Sequence, residues 1–257
     1  MASKFETFKE LHNGGKTFIL PNAWDAQSAK IFQESKYSAV GTSSAAVATS
    51  LGYADGENMP FSDYLFVIRR IVASVDIPVT IDMEMGYGKT AEAIYANLQQ
   101  LIEAGVVGIN LEDSKIADGV RSLRDPKDFA RTLERIKTQL TNAHESLFIN
   151  VRCDTFILNV DNKQNETVAR LKAYESAGAD GIFLPCITDE KDIAQAVATT
   201  KLPLNVMTIP GLPSVARLSE LGVKRLSMGP FLHMATYNKA KQLAAEVVES
   251  NSIQSIL

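Results

Sequence analysis

A chain of 257 residues with 26 Lys and Arg against 30 Asp and Glu carries a net charge of −4, is long enough for one large core, and lacks the basic block that a nucleic-acid partner requires. No apolar run approaches the ~18 residues that span a membrane, and the opening Met1-Ala2-Ser3-Lys4-Phe5-Glu6 has no apolar signal core. The two cysteines, Cys153 and Cys186, show no metal-type spacing and suggest a reducing compartment, so the expectation is a soluble cytoplasmic protein with neither a nucleic-acid nor a membrane partner.

Short apolar runs alternate with longer stretches of helical periodicity. In chain order the runs are Thr17-Phe18-Ile19-Leu20, Ala39-Val40-Gly41-Thr42-Ser43, Val79-Thr80-Ile81-Asp82, Gly108-Ile109-Asn110-Leu111-Glu112, Phe148-Ile149-Asn150-Val151-Arg152, Gly181-Ile182-Phe183-Leu184, Leu204-Asn205-Val206-Met207 and Arg225-Leu226-Ser227-Met228. Three are announced by a helix ending at Gly, at Gly105, Gly178 and Gly222. Eight strands, each followed by room for a helix and undivided by any linker, predict a single (β/α)8 TIM barrel over residues 1–257. An open doubly wound sheet is the competing fold. A last helix is expected from Tyr237 to Glu249.

Chemistry in such a barrel gathers at the carboxyl ends of the strands. There the third strand delivers Asp82 and Glu84 on the same face, since alternate side chains of a strand project the same way, and Gly86 and Gly88 then let the chain turn sharply. Two carboxylates on one face call for a cation, and Mg²⁺ with few protein ligands meets that need; a solvated acidic pair is the bland alternative. Small residues Gly41-Thr42-Ser43-Ser44-Ala45-Ala46 follow the second strand, and their amides can approach an anion or simply pack tightly. Asp55 sits in a Gly-rich loop. Strand four ends in Glu112 and Asp113, of which only one faces inward, and strand five ends in Arg152, whose guanidinium can grip a substrate carboxylate or pair with Glu112.

The stretch Asp82-Met83-Glu84-Met85-Gly86-Tyr87-Gly88 resembles the Asp-x-Asp-Thr-Gly-Tyr-Gly signature of the phosphoenolpyruvate mutase/isocitrate lyase superfamily. Leu111-Glu112-Asp113, Arg152, Ala177-Gly178-Ala179-Asp180 and the opening Pro21-Asn22-Ala23-Trp24-Asp25-Ala26 fall in that family's order. The resemblance implies a (β/α)8 barrel in a homo-oligomer, tetramer or dimer, with C-terminal helices exchanged between partners. It implies Mg²⁺, with Mn²⁺ as the alternative, and cleavage or formation of a C–C or P–C bond in a small anionic 2-oxo or 2-hydroxy acid. Asp82 would be the closest metal ligand, and Asp55, Glu84 and Glu112 would hold its waters. Ser43 and Ser44 would receive the substrate carboxylate with Arg152, Gly86 and Tyr87 would lie beside the substrate, and Arg152, Asp55 and Glu112 would form the catalytic set.

Departures from the signature are informative. Glu84 and Met85 replace Asp and Thr, Gly41 stands where mutases carry Trp, and Pro185 and Cys186 occupy a position where relatives have a polar contact. Between residues 114 and 125 the lyase Lys-Lys/Arg-Cys-Gly-His loop is absent, as is the mutase Lys-Thr-Asn pattern. In its place stands a polar stretch expected to act as a lid, with Lys115, Arg121 and Arg124 able to close on an anion. Cys153 is expected to turn away from the site, Cys186 is a weak candidate for contact, and His12, His144 and His233 read as structural, with His233 nearest the active end. The surviving mechanism is metal-centred, with an enolate formed as the bond to C3 breaks, as in oxaloacetate decarboxylation. Phosphonopyruvate hydrolysis or mutase-type P–C chemistry is the alternative; a phosphate-binding barrel at Gly211 and Gly229 ranks low, and a non-catalytic 2-oxo-acid binder stays open.

Overall fold

The computed structural model describes residues 3–257; Met1 and Ala2 lie outside the described residues. The eight expected strands form one parallel sheet closed into a barrel. They are β1 (Phe18–Leu20), β3 (Val40–Thr42), β4 (Val79–Asp82), β5 (Gly108–Glu112), β8 (Phe148–Arg152), β9 (Gly181–Leu184), β10 (Leu204–Met207) and β11 (Arg225–Ser227), with β2 (Asn22–Ala23) completing the ring. β1 pairs with β11 and β2 with β3, so the first strand is split at Pro21 and closes the barrel from both sides. Proline offers no amide hydrogen and breaks the ladder there, although its carbonyl still accepts from the Gly41 amide at 2.8 Å.

Helices α2 (Ala26–Glu34), α4 (Phe61–Val72), α5 (Ala91–Glu103), α6 (Pro126–Asn142), α7 (Lys163–Ser176), α8 (Glu190–Thr199) and α9 (Val215–Glu220) cover the strands. Their starts are set by local chemistry. Asp25 and Ser28 form a capping box at α2, and Asp125 caps α6 ahead of Pro126. Gly105, Gly178 and Gly222 all adopt left-handed backbone conformations just after α5, α7 and α9, as the Gly cue in the sequence requires. Helix α1 (Lys4–Asn13) plugs the amino-terminal mouth, where Phe8 meets Phe148 edge-on and His12 stacks on Phe148 at 4.3 Å.

Two elements differ from expectation. The stretch read as an irregular lid is an antiparallel hairpin, β6 (Ser114–Ala117) and β7 (Val120–Leu123), turned by Asp118 and Gly119, both at positive φ. An Asp-Gly pair is the preferred chemistry of such a two-residue turn, and that signal was available in the sequence. The terminal helix α10 runs from Phe231 to Ser250, longer than expected, and only His233 on it is buried. Among the described residues no helix is long and apolar enough to cross a membrane.

The interior of the barrel is polar across its middle. Arg225 on β11 bonds to Asn110 on β5, and Asn150 on β8 bonds to Asn110 and to Asn205 on β10. β5 and β11 are not neighbours in the sheet, so these bonds pass through the inside of the barrel.

Candidate active site

A cavity of about 160 Å³ opens at the carboxyl ends of the strands, and Asp55, Asp82, Asn110, Arg152, Ser43 and Ser44 line it. Asp82 closes β4. Its Oδ2 accepts from the Ser44 hydroxyl at 2.8 Å, with the Ser44 amide at 3.4 Å. Its main chain is clamped by Tyr64, whose hydroxyl donates to the Asp82 carbonyl at 2.9 Å, and by the Thr42 hydroxyl, which accepts from the Asp82 amide at 3.0 Å. Oδ1 is buried without a partner among the described residues. Burial and the neighbouring Asp82 raise the Asp55 carboxyl above its ordinary range, with Arg121 and Arg152 pulling the other way.

Glu84 does not share the strand face of Asp82. β4 ends at Asp82, and Glu84 takes a left-handed backbone with φ of 49°. Its side chain turns into the protein, accepting from the Tyr87 hydroxyl at 2.8 Å and from the Glu57 amide at 2.9 Å. Glu57 in turn accepts from the Tyr87 amide at 2.7 Å. The extra methylene of Glu84 thus ties two loops together. Burial, followed by the charges of Asp55 and Asp82, pushes the Glu84 carboxyl up to about 8.

Gly86 and Tyr87, expected beside the substrate, are absent from the cavity lining. Gly86, with φ of 105°, packs so closely on Ile94 that a Cβ would come within 2.8 Å of that side chain, while Tyr87 spends its hydroxyl on Glu84. These two residues support the site from behind.

Glu112 also stands back from the cavity, engaged by two arginines. Arg121 of the hairpin bonds to its Oε1, and Ser114 donates to the same oxygen at 2.8 Å. The Arg152 Nη1 lies 2.8 Å from Oε2, a charge contact without hydrogen-bond alignment. Burial pushes the Glu112 carboxyl up to about 7 against the pull of Arg152. Arg152 is oriented by Asp154, a fully buried residue absent from the candidate set; Asp154 Oδ1 accepts from Arg152 Nε at 2.6 Å. Asp113 faces the other way, to Arg170 at 2.8 Å and Tyr174 at 2.6 Å, as alternation along β5 demands.

The remaining candidates are placed elsewhere. Cys153 is buried, with its thiol pushed well up by desolvation. Cys186 does not line the cavity. His233 bonds to Ser50 at 3.0 Å and packs against Trp24 and Tyr237. Arg124 donates to Thr132 at 3.0 Å and lies over the Phe129 ring, so it serves the hairpin's base and is not poised over the cavity. The Gly229 amide donates to Asn22 Oδ1 at 2.9 Å and is already committed, which argues against a phosphate cradle there. Asn22, Asn110 and Ser227 on the cavity wall were not anticipated. For Asn110 the signal was its spacing of two from Glu112 on one strand.

The donor set suits a hard divalent cation. Asp82 keeps one buried carboxylate oxygen bare, and Asp55 and Glu84 repel it and each other. Among the described residues no group of three or more His, Cys, Asp or Glu side chains is arranged to hold a metal by itself. An ion here would draw most of its coordination from water and ligand oxygens, as Mg²⁺ commonly does.

Comparison with known proteins agrees. The family described as phosphoenolpyruvate phosphomutase matches residues 8–248. An uncharacterized protein of Mycobacterium tuberculosis is 33% identical over 247 residues, covering 96% of this chain and 91% of that one. An oxaloacetate decarboxylase of Ectopseudomonas mendocina is 29% identical over 234 residues, 89% of this chain and 79% of that one. A crystal structure from Burkholderia cenocepacia J2315, provisionally named a phosphonomutase, superposes with a TM-score of 0.88 at 36% identity, over 94% of this chain and 99% of that one. At 22% identity and a TM-score of 0.85, a phosphonopyruvate hydrolase solved with oxalate and Mg²⁺ shares the fold over 99% of this chain and 90% of its own. With the barrel, the strand-end acids and the matched length in agreement, the chain belongs to the phosphoenolpyruvate mutase/isocitrate lyase superfamily.

Proposed function

We propose that this protein is a Mg²⁺-dependent carbon–carbon lyase acting on a small 2-oxo acid, with oxaloacetate decarboxylation as the leading reaction. The observation that carries the reading is that Asp82, with one carboxylate oxygen unpartnered among the described residues, and Arg152 line the same small cavity. A carboxylate oxygen suits a cation, and a guanidinium suits a substrate carboxylate.

Asp82, backed by Asp55, would hold the metal, which when bound would stabilise negative charge on the 2-oxo oxygen as the bond to C3 breaks. Arg152, fixed by Asp154 and Glu112, binds a substrate carboxylate in an orientation set before substrate arrives. Ser44 holds Asp82 through Oδ2 and so leaves the other oxygen directed away from that bond. Ile157, Phe183 and Pro185 give the cavity an apolar wall that limits water around the nascent carbanion. Hairpin β6–β7 acts as the lid, latched by Arg121 onto Glu112. The exposed apolar residues of α10, including Met234 and Tyr237, are covered by a second copy in a homo-oligomer.

The test is a panel of 2-oxo, 2-hydroxy and phosphono acids assayed with Mg²⁺ and after chelation. Release of CO₂ from oxaloacetate that stops on chelation supports the reading. Turnover of phosphonopyruvate alone would move the chemistry to the P–C bond, and binding without any turnover would make the protein a 2-oxo-acid receptor.

A further inference from the structure

Arg225 is a charge buried in the middle of the barrel, 1% exposed, and its bonds end on neutral amide oxygens. Nε donates to Asn205 Oδ1 at 3.0 Å and Nη2 to Asn110 Oδ1 at 2.7 Å, while Nη1 has no partner among the described residues. Burying a guanidinium on such weak compensation is costly, so a packing role alone is a poor account of it.

What the guanidinium does is fix the orientation of one amide. Arginine only donates, so the Asn110 atom facing it must be the carbonyl oxygen. Asn150 Nδ2 donates to the same oxygen at 2.9 Å. Among the described residues both side-chain bonds of Asn110 end on Oδ1, which turns its NH₂ the other way. Asn110 lines the cavity, and in the sheet it sits directly beside Asp82. The Asn205 amide is pinned in the same fashion, donating to the Val206 carbonyl at 2.6 Å, so the network has no slack through which Asn110 can flip.

We propose that Asn110 contacts the substrate, its Nδ2–H donating to an oxygen of the bound acid beside Asp82, and that Arg225 is a positioning residue that holds the amide donor-outward. The assignment rests on the reading of the cavity as a site for a small 2-oxo or 2-hydroxy acid. It gives the site a neutral donor in addition to Arg152, and it favours ligands with an acceptor oxygen at that point over those with an apolar group there.

The test is calorimetric titration of oxalate, in the presence of Mg²⁺, into the wild type and into Asn110→Ala, Asn110→Asp and Arg225→Lys, with thermal melts and steady-state kinetics alongside. N110A, which adds no charge, binds oxalate about tenfold more weakly, and the loss appears mainly in KM. N110D keeps an acceptor for Arg225 and Asn150, so its melting temperature holds or rises, yet its oxalate affinity falls at least as far. R225K, without the planar fork, loosens the amide and gives a smaller loss in the same direction. N110A is the deciding variant, because the carboxylate of N110D repels oxalate in either case; normal binding by N110D in a stable protein nonetheless overturns the assignment. So does binding by N110A within about twofold of wild type. A wild type that neither binds oxalate nor turns over any acid of the panel overturns the reading of the cavity and the role of Asn110 together.

Discussion

Arg121, at the second position of the hairpin's return strand, reaches back to Glu112 at the end of β5 and also lies 3.5 Å from Asp154. A hairpin residue is thereby bonded to a buried acid at a strand end. Replacing Arg121 with Leu leaves Glu112 to Arg152 and Ser114 and costs ~1–3 kcal/mol of stability. The hairpin should open more often, so amide exchange over residues 114–123 accelerates while the barrel strands stay protected, and kcat/KM falls at least ~10-fold. Unchanged exchange in the hairpin would show that the latch does not hold the lid.

Asp82 separates stability from function. In metal-free protein Asp82→Asn relieves repulsion with Asp55 and Glu84 and still leaves an acceptor for Ser44, but it also removes a charge that favours the Arg152 and Arg225 guanidinium ions, so stability should stay within ~1 kcal/mol of wild type. Mg²⁺ affinity measured by calorimetry drops by at least ~100-fold and activity is lost. If the variant keeps wild-type turnover, the metal does not sit at Asp82.

His12, at the other end of the barrel, should make the fold sensitive to acid. Desolvation, reinforced by Arg225, lowers its folded pKa from 6.5 to about 3. The unfolded chain therefore binds this proton more readily than the folded one, and the stabilising effect of a neutral His12 is complete above pH ~6.5 and is lost as pH falls toward ~3. The loss is bounded by about 5 kcal/mol. His12→Phe, among Phe8, Phe18 and Phe148, should flatten that limb in urea melts between pH 7 and 4 while leaving turnover at pH 7 unchanged. Equal acid sensitivity in variant and wild type would assign the limb to another group.

On α10, Met234 and Tyr237 are 50% and 52% exposed, and His233 is the only buried residue of a 20-residue helix. An apolar surface of this kind is expected to be covered in an oligomer. Light scattering should give a multiple of the 28.0 kDa chain mass, and Met234→Glu with Tyr237→Glu should shift the population to monomer. A monomeric wild type would rule out this role for α10.

Strand number, the Gly-terminated helices and the strand-end positions of Asp82, Glu112 and Arg152 were determined by the sequence alone, because apolar periodicity and turn chemistry are local properties. The Asp-Gly turn of the hairpin was equally local and was simply passed over. Which acids reach the cavity was decided only by the tertiary structure. Glu84 and Asp82 stand two residues apart, yet a left-handed backbone beyond the strand end sends Glu84 to Tyr87 and Glu57, and no spacing rule survives that change of conformation. The contact of Arg152 with Glu112 was one of two readings the strand ends offered, but the second arginine on Glu112, Arg121, was not foreseen, and Asn110 is oriented by Arg225, 115 residues distant. That last partnership depends on barrel closure, which brings β5 and β11 face to face across the interior. A linear sequence carries the residue types for it but not the distances.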